Sequence, residues 1–352
     1  MVGLFLIMRE AKFIKKNVEK WNKYQHEPSD DPDEMADRFI TLLDDLSYAK
    51  TFYPKSKVTN WINGIAATIY QSIYQNKKQS FPGIVLFWKY ELPLLFKRYH
   101  KVLLFTFSLF VGIVILGVLS SIVDPDYTRQ YFDNHVQAGY YDETIARIRA
   151  GDPFGVYKDD NQFSMFVRIA FNNINVAFRT VVLGVLFGIG TLLSMWNNGI
   201  MLACFQYIFF SQGLGWQSIM VIWIHGTIEI SSLVIASCAG FIIGTGWLFP
   251  GTYTRRQAFL RSAKDAVKIC IALVPFFILA AFLESYITHL MSNTFQKNST
   301  NIGLPVPISV IILLGSVLLI WWYFIYFPLH LHKNGFSLRD GKILKNGVPY
   351  EK

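Results

Sequence analysis

The chain has 352 residues, 52% of them hydrophobic, and carries 33 Lys/Arg against 24 Asp/Glu. Only 16% is charged, where a soluble domain carries nearer a quarter, and its mean hydropathy is +0.31. A charge-poor, apolar chain of this length excludes an ordinary soluble enzyme and predicts a membrane bundle with room for a small soluble domain.

The first seven residues, MVGLFLI, are too short and too poorly flanked for a secretory signal, and Met8 opens a polar, helix-like stretch. Met8 is therefore the expected start of translation. Between Arg9 and Gln79 the apolar residues recur at helical spacing, as in Met35, Phe39, Leu42, Leu43 and Leu46. This predicts three small helices. Phe81–Tyr99 mixes aromatics with Lys89, Glu91, Lys97 and Arg98 and reads as an interfacial amphipathic helix.

Four long apolar runs follow: 102–123, 163–249, 269–290 and 306–327. Their only formal charges are Arg168, Arg179, Glu229 and Glu284. Hydrocarbon does not solvate ions, so a membrane-crossing chain sorts its charges this way. The first run has 22 uncharged residues, about 33 Å as a helix, enough to cross. Loop charge then sets parity. The segment 124–162 holds eight acids and four bases and is expected outside. The loop 251–268 holds five bases and one acid and is expected inside, as is the basic tail. The loop 291–305, with Lys297 alone, is expected outside. Six spans satisfy these constraints: 102–123, 177–196, 199–212, 228–249, 269–290 and 306–327. The 199–227 region is short enough to be broken or re-entrant.

The predicted fold is therefore all-α. An N-terminal helical cytoplasmic domain with the interfacial helix occupies 1–98, a polytopic bundle 99–330, and a basic cytoplasmic tail 331–352. The positive charge follows from membrane orientation and does not imply a nucleic-acid partner. Cys204, Cys238 and Cys270 lie in apolar runs without CxxC spacing, which predicts buried, inert thiols.

The fourth span carries a stripe. His225, Glu229, Ser232, Ala236, Gly240 and Gly244 are spaced 4, 3, 4, 4 and 4, so they share one helix face. The second span has a matching small-residue face, Ala177, Gly184, Gly188 and Thr191. Small residues let backbones approach, so the two helices are expected to pack, with His225 and Glu229 inside. Upstream, Arg168, Asn172, Asn175 and Arg179 share another face, with Asn173 beside them. An arginine from this face would offset the cost of a membrane carboxylate at Glu229. These seven polar residues are the candidate intramembrane site. Glu229 reads equally as a polar bolt between helices or as a ligand- or proton-handling group. A third metal ligand is not evident from spacing, HExxH is absent, and no metal or cofactor is expected. Glu284 either snorkels outward or joins the cluster.

The run Phe171-Asn172-Asn173-Ile174-Asn175-Val176-Ala177-Phe178 is followed by Gly188-Ile189-Gly190-Thr191, Asn198-Gly199 and His225-Gly226-Thr227-Ile228-Glu229. With the start at Met8 and the interfacial segment, this order resembles the stage II sporulation protein M family over roughly residues 8–330. The resemblance implies a multi-pass protein of the bacterial inner membrane with both termini cytoplasmic. The namesake acts at the septum of spore formers with peptidoglycan hydrolases, and relatives occur outside spore formers. It carries over His225 and Glu229 as the HGxxE positions and Asn172 and Asn173 as the NN positions. The expected function is a scaffold that recruits or regulates cell-envelope partners, possible homo-oligomerisation included, rather than an enzyme. A permease with a polar site at His225/Glu229 is the alternative, and an intramembrane hydrolase a second alternative. GxSxG and Walker A motifs are absent from the sequence.

Overall fold

The computed structural model describes residues 8–27, 29, 31–74, 81–155, 161–296, 302–339 and 341–350. The expectations for residues 1–7 and Lys297 lie outside them. The chain divides into two units, residues 1–83 and 84–352.

The first unit contains α1 (Glu10–His26), α2 (Pro32–Phe52) and α3 (Lys57–Tyr74). Asp31 caps α2 by accepting from the Asp33 amide, and Pro32 occupies the first turn, where its missing N–H costs nothing. The apolar stripes of the three helices meet in one core around Trp21, Leu42, Leu46 and Ile62. Trp21 is fully buried, and its indole N–H donates to Asp45 Oδ2 at 2.8 Å.

Helix α4 (Phe81–Leu86) runs across the boundary between the units, and a π-helical turn at Phe87–Glu91 and α5 (Leu92–Arg98) follow in the second. An amphipathic helix lying on lipid would bury one face. Here Leu92 through Phe96 are all buried. Leu92 and Phe96 face the bundle core, while Tyr90 and Leu94 pack on a small sheet formed by the tail. That sheet was not legible from hydropathy. It is three-stranded and antiparallel, β1 (Phe336–Arg339), β2 (Lys342–Lys345) and β3 (Val348–Pro349), in sequence order. Asn346 and Gly347 both have positive φ between the paired residues Lys345 and Val348, the backbone a tight two-residue hairpin requires. Arg98 fastens this junction: it donates to Asp265 Oδ2 at 3.0 Å and to the Leu338 carbonyl at 2.6 Å. The Tyr99 hydroxyl donates to the same Asp265 oxygen at 2.8 Å, and burial together with that carboxylate raises the phenol pKa above its ordinary value.

Four helical stretches among the described residues are long and apolar enough to cross a membrane: His100–Val123, Gly215–Leu248, Arg255–Phe295 and Val306–Lys333. The sequence expectation was six, and the difference lies between 163 and 212. The expected span 177–196 is not one helix. Helix α9 (Gln162–Val182) ends in a 3-10 turn at Leu183–Val185, and the chain reverses through Phe187 and Gly188, both at positive φ. Helix α10 (Ile189–Ser211) then returns, absorbing the expected span 199–212. Thr191 Oγ1 donates to the Thr180 carbonyl at 2.8 Å and closes this helical hairpin. Two reversed helices leave the parity of the chain unchanged, which is why loop charge alone could not detect them.

Helix α6 (His100–Val123) buries Thr106, Phe110, Ile113, Gly117 and Ser121, a single face, and leaves Leu104, Phe107, Ile115, Leu116 and Leu119 exposed. A Cβ on Gly117 would stand 2.6 Å from the Ala203 Cβ, and one on Gly199 2.8 Å from Ile113, so α6 and α10 run parallel in close contact. Segment 124–155 does not stand free. It forms α7 (Tyr127–His135) and α8 (Tyr140–Arg149), and Phe132 and Ile145 enter a core with Ile200 and Cys204 of α10. Thr128 Oγ1 donates to Ser121 Oγ at 2.8 Å, and Tyr131 to the Asn197 carbonyl at 2.8 Å.

Helix α11 (Gly215–Leu248) has 34 residues, about 51 Å, and is buried along most of its length. Helix α12 (Arg255–Phe282) starts in a capping box made by Thr254 and Gln257. It continues through a π-helical turn at Leu283–Thr288 into α13 (His289–Phe295). Helix α14 (Val306–Trp321), a π-helical turn at Trp322–Tyr326 and α15 (Phe327–Lys333) complete the bundle. Cys204, Cys238 and Cys270 are buried, and none is in a disulfide.

Candidate functional site

Two contacts set the register of α11 in the bundle. A Cβ on Gly184 would stand 2.2 Å from the Gly240 carbonyl oxygen, and one on Gly244 2.6 Å from the Gly188 nitrogen. The turn after α9 thus lies backbone to backbone on one end of α11. On the other side, Gly246 lies against Ser262, and His225 faces Glu284, so α12 runs antiparallel to α11. Ser232 and Ala236, between the polar and glycine ends of the stripe, are fully buried.

This register brings His225, Glu229 and Glu284 together. One ligand atom from each lies within 4.8 Å of the others. His225 is 5% exposed, and its Nε2 is 3.8 Å from Glu284 Oε2. Its Nδ1 is 3.0 Å from Thr288 Oγ1. Thr288 donates its own hydroxyl proton to the Leu283 carbonyl at 3.2 Å, so its oxygen is the acceptor toward the ring. With that order the ring is in the tautomer that carries its proton on Nδ1, and Nε2 is the nitrogen that faces the carboxylate. Glu284 and Thr288 both belong to the π-helical turn, a backbone form that concentrates at functional sites.

The polar residues expected from α9 separate into two groups. The Asn173 side chain lies beside the Glu229 carboxylate, and its amide nitrogen is buried. Arg168, Asn172, Asn175 and Arg179 are exposed. The buried face of α9 is instead the one bearing Met165, Ala177, Thr180 and Val181. Among the described residues, no ion pair joins Glu229 to Arg168 or Arg179. Its close partners are a histidine and a second carboxylate. Glu284 and Thr288 are the site residues that spacing on one helix could not supply. The available signal was that Glu284 is the single charge in the run 269–290.

Chemically, the arrangement offers one imidazole nitrogen and two carboxylates, on two helices, inside a bundle. Two carboxylates this close repel when both are ionised, so the site favours a proton or a cation. A nucleophile–base pair of the kind that carries acyl transfer is not formed by these three groups.

A family model for stage II sporulation protein M matches residues 102–289, more than half of the chain. The chain belongs to this family. The matched region of this stage II sporulation protein M relative starts in α6 and ends at His289, just past the π-helical turn, so it contains all three clustered residues. A second model, Domain of unknown function (DUF8413), matches residues 11–75, the three helices of the first unit. No curated protein and no solved structure matches the chain.

Proposed function

We propose that this protein is a polytopic scaffold of the bacterial inner membrane that recruits or regulates cell-envelope partners, peptidoglycan-remodelling enzymes among them. The carrying observation is how the bundle is closed. Where the turn after α9 meets α11 the backbones touch at Gly184–Gly240 and Gly188–Gly244, leaving no space for a conduit at that seam. The bundle unit carries the α7–α8 hairpin with exposed Asp126, Arg129, Asp142 and Arg149, and the three-helix unit has a core of its own. A tight bundle presenting charged modules suits holding partners in place. Family membership supports the same reading. The positive-inside rule orients it, with α7–α8 outside and both termini cytoplasmic. The contacts are polar enough at α7–α8 for a protein partner and apolar enough on α6 and α14 for lipid or a second copy.

The test is affinity purification of the full chain from its host in mild detergent, with the set of bound proteins identified by mass spectrometry. Envelope enzymes should be enriched, and the enrichment should fall when Arg129 and Arg149 are both replaced by Glu. No enrichment over a membrane-protein control, together with cation flux in proteoliposomes, would overturn the scaffold reading. It would favour the second one, a permease, which the His225–Glu229–Glu284 cluster supports.

A further inference from the structure

We propose that His225, Glu229 and Glu284 form a site for one divalent transition-metal ion of the zinc class, which ties α11 to the helical turn following α12. The inference stands apart from the scaffold reading, because a metal would fix this junction in a scaffold and in a permease alike.

The first argument is donor chemistry. One imidazole nitrogen and two carboxylate oxygens converge within 4.8 Å, and they come from helices that meet only in the folded bundle. The Nε2–Oε2 separation, 3.8 Å, is too long for a hydrogen bond and close to the ~3.3 Å between ligands of a tetrahedral centre with bonds of about 2.0–2.1 Å. A nitrogen ligand beside two oxygens suits zinc better than magnesium or calcium, which take oxygen alone.

The second argument is orientation. Metal-binding histidines hold their other ring N–H against a fixed acceptor, which sets the tautomer and aims the ligating nitrogen. Thr288 does this for His225: its hydroxyl proton goes to the Leu283 carbonyl, and its oxygen faces Nδ1. The π-helical turn places Glu284 and Thr288 around the same imidazole, one facing each ring nitrogen.

The third argument comes from a different helix. The Asn173 amide nitrogen is buried and its side chain lies beside the Glu229 carboxylate, so α9 also directs a polar group at the site. A divalent ion neutralises both carboxylates at once and uses all three convergent lone pairs.

The experiment uses the full chain, purified in detergent through a tag without histidine and stripped with a chelator. Zinc chloride is the probe, with magnesium chloride as control. The readouts are zinc retained per chain after desalting, by elemental mass spectrometry, and the shift in Tm. One zinc per chain and a Tm raised by zinc but not magnesium are expected. His225→Gln, Glu229→Gln and Glu284→Gln should each abolish retention. Thr288→Val should weaken zinc binding about 10- to 100-fold, and Thr288→Ser should preserve it. Should the variants fail to fold, the X-ray absorption spectrum of the zinc-loaded wild-type chain decides. One imidazole with oxygen ligands supports the site, while sulfur ligation or several imidazoles overturns it. A monodisperse wild-type chain that retains no zinc, or whose Tm responds to pH alone, assigns the cluster to protons and overturns the proposal.

Discussion

Adding one methyl group at Gly184 tests the packing that sets the register of α11. The Cβ of Gly184→Ala would stand 2.2 Å from the Gly240 carbonyl oxygen and 2.7 Å from its carbonyl carbon and Cα. All three atoms are backbone, so no side-chain rotation relieves the clash. Reaching even a tight 3.0–3.4 Å contact requires the two backbones to separate by roughly 0.8–1.2 Å. A gap of that size forfeits a quarter to a half of the dispersion energy of each contact along the seam. Overpacking of this kind costs about 1–3 kcal/mol. Gly112→Ala is the control: it lies in α6 with nothing within 4 Å of the added methyl. There the higher helix propensity of alanine should leave stability unchanged or raise it by about 1 kcal/mol. The assay is thermal unfolding of both variants in one detergent, followed by size-exclusion of the soluble fraction after heating. Gly184→Ala should unfold well below wild type and Gly112→Ala at or above it. If Gly184→Ala is as stable as Gly112→Ala, the backbone contact between the turn after α9 and α11 is refuted, and the placement of Glu229 with it.

Orientation is accessible by labelling, since the three native cysteines are buried and give little background. A cysteine at exposed Asp126 should react with an impermeant maleimide in intact cells, and one at exposed Arg256 only after permeabilisation; the reverse pattern would invert the topology. In the first unit, Trp21→Ala should cost about 3–5 kcal/mol, because it empties a fully buried site and orphans the bond to Asp45. Denaturant unfolding of a fragment spanning residues 8–74 measures this, and a shift below 1 kcal/mol contradicts the described core. At the junction of α5, α12 and the sheet, Asp265→Asn should cost about 1.5–3 kcal/mol, since Arg98 and Tyr99 both lose a charged acceptor. A Tm equal to wild type would show that the junction carries no load.

Local pattern determined a good deal here. The sorting of charge out of the long apolar runs made a helical membrane bundle legible, because burial in hydrocarbon acts on each residue separately. Helical spacing placed His225 and Glu229 on one face and the glycines on the same stripe, because that periodicity belongs to a single helix. The hairpin Asn346-Gly347 carried its signal too, in two residues whose positive φ a tight turn needs, but it sits in a segment that reads as a plain basic tail. Tertiary structure decided the rest. The reversal at Phe187–Gly188 lies within an apolar run, where hydropathy is blind to a turn. Which face of α9 is buried depended on its rotation against α11, and that turned Asn173 toward Glu229 and the arginines outward. Glu284 joined the cluster because α12 returns antiparallel to α11, and Glu284 faces His225 from 59 residues away in sequence. Spacing along one helix fixes which residues share a face; only packing of helix against helix fixes what that face meets.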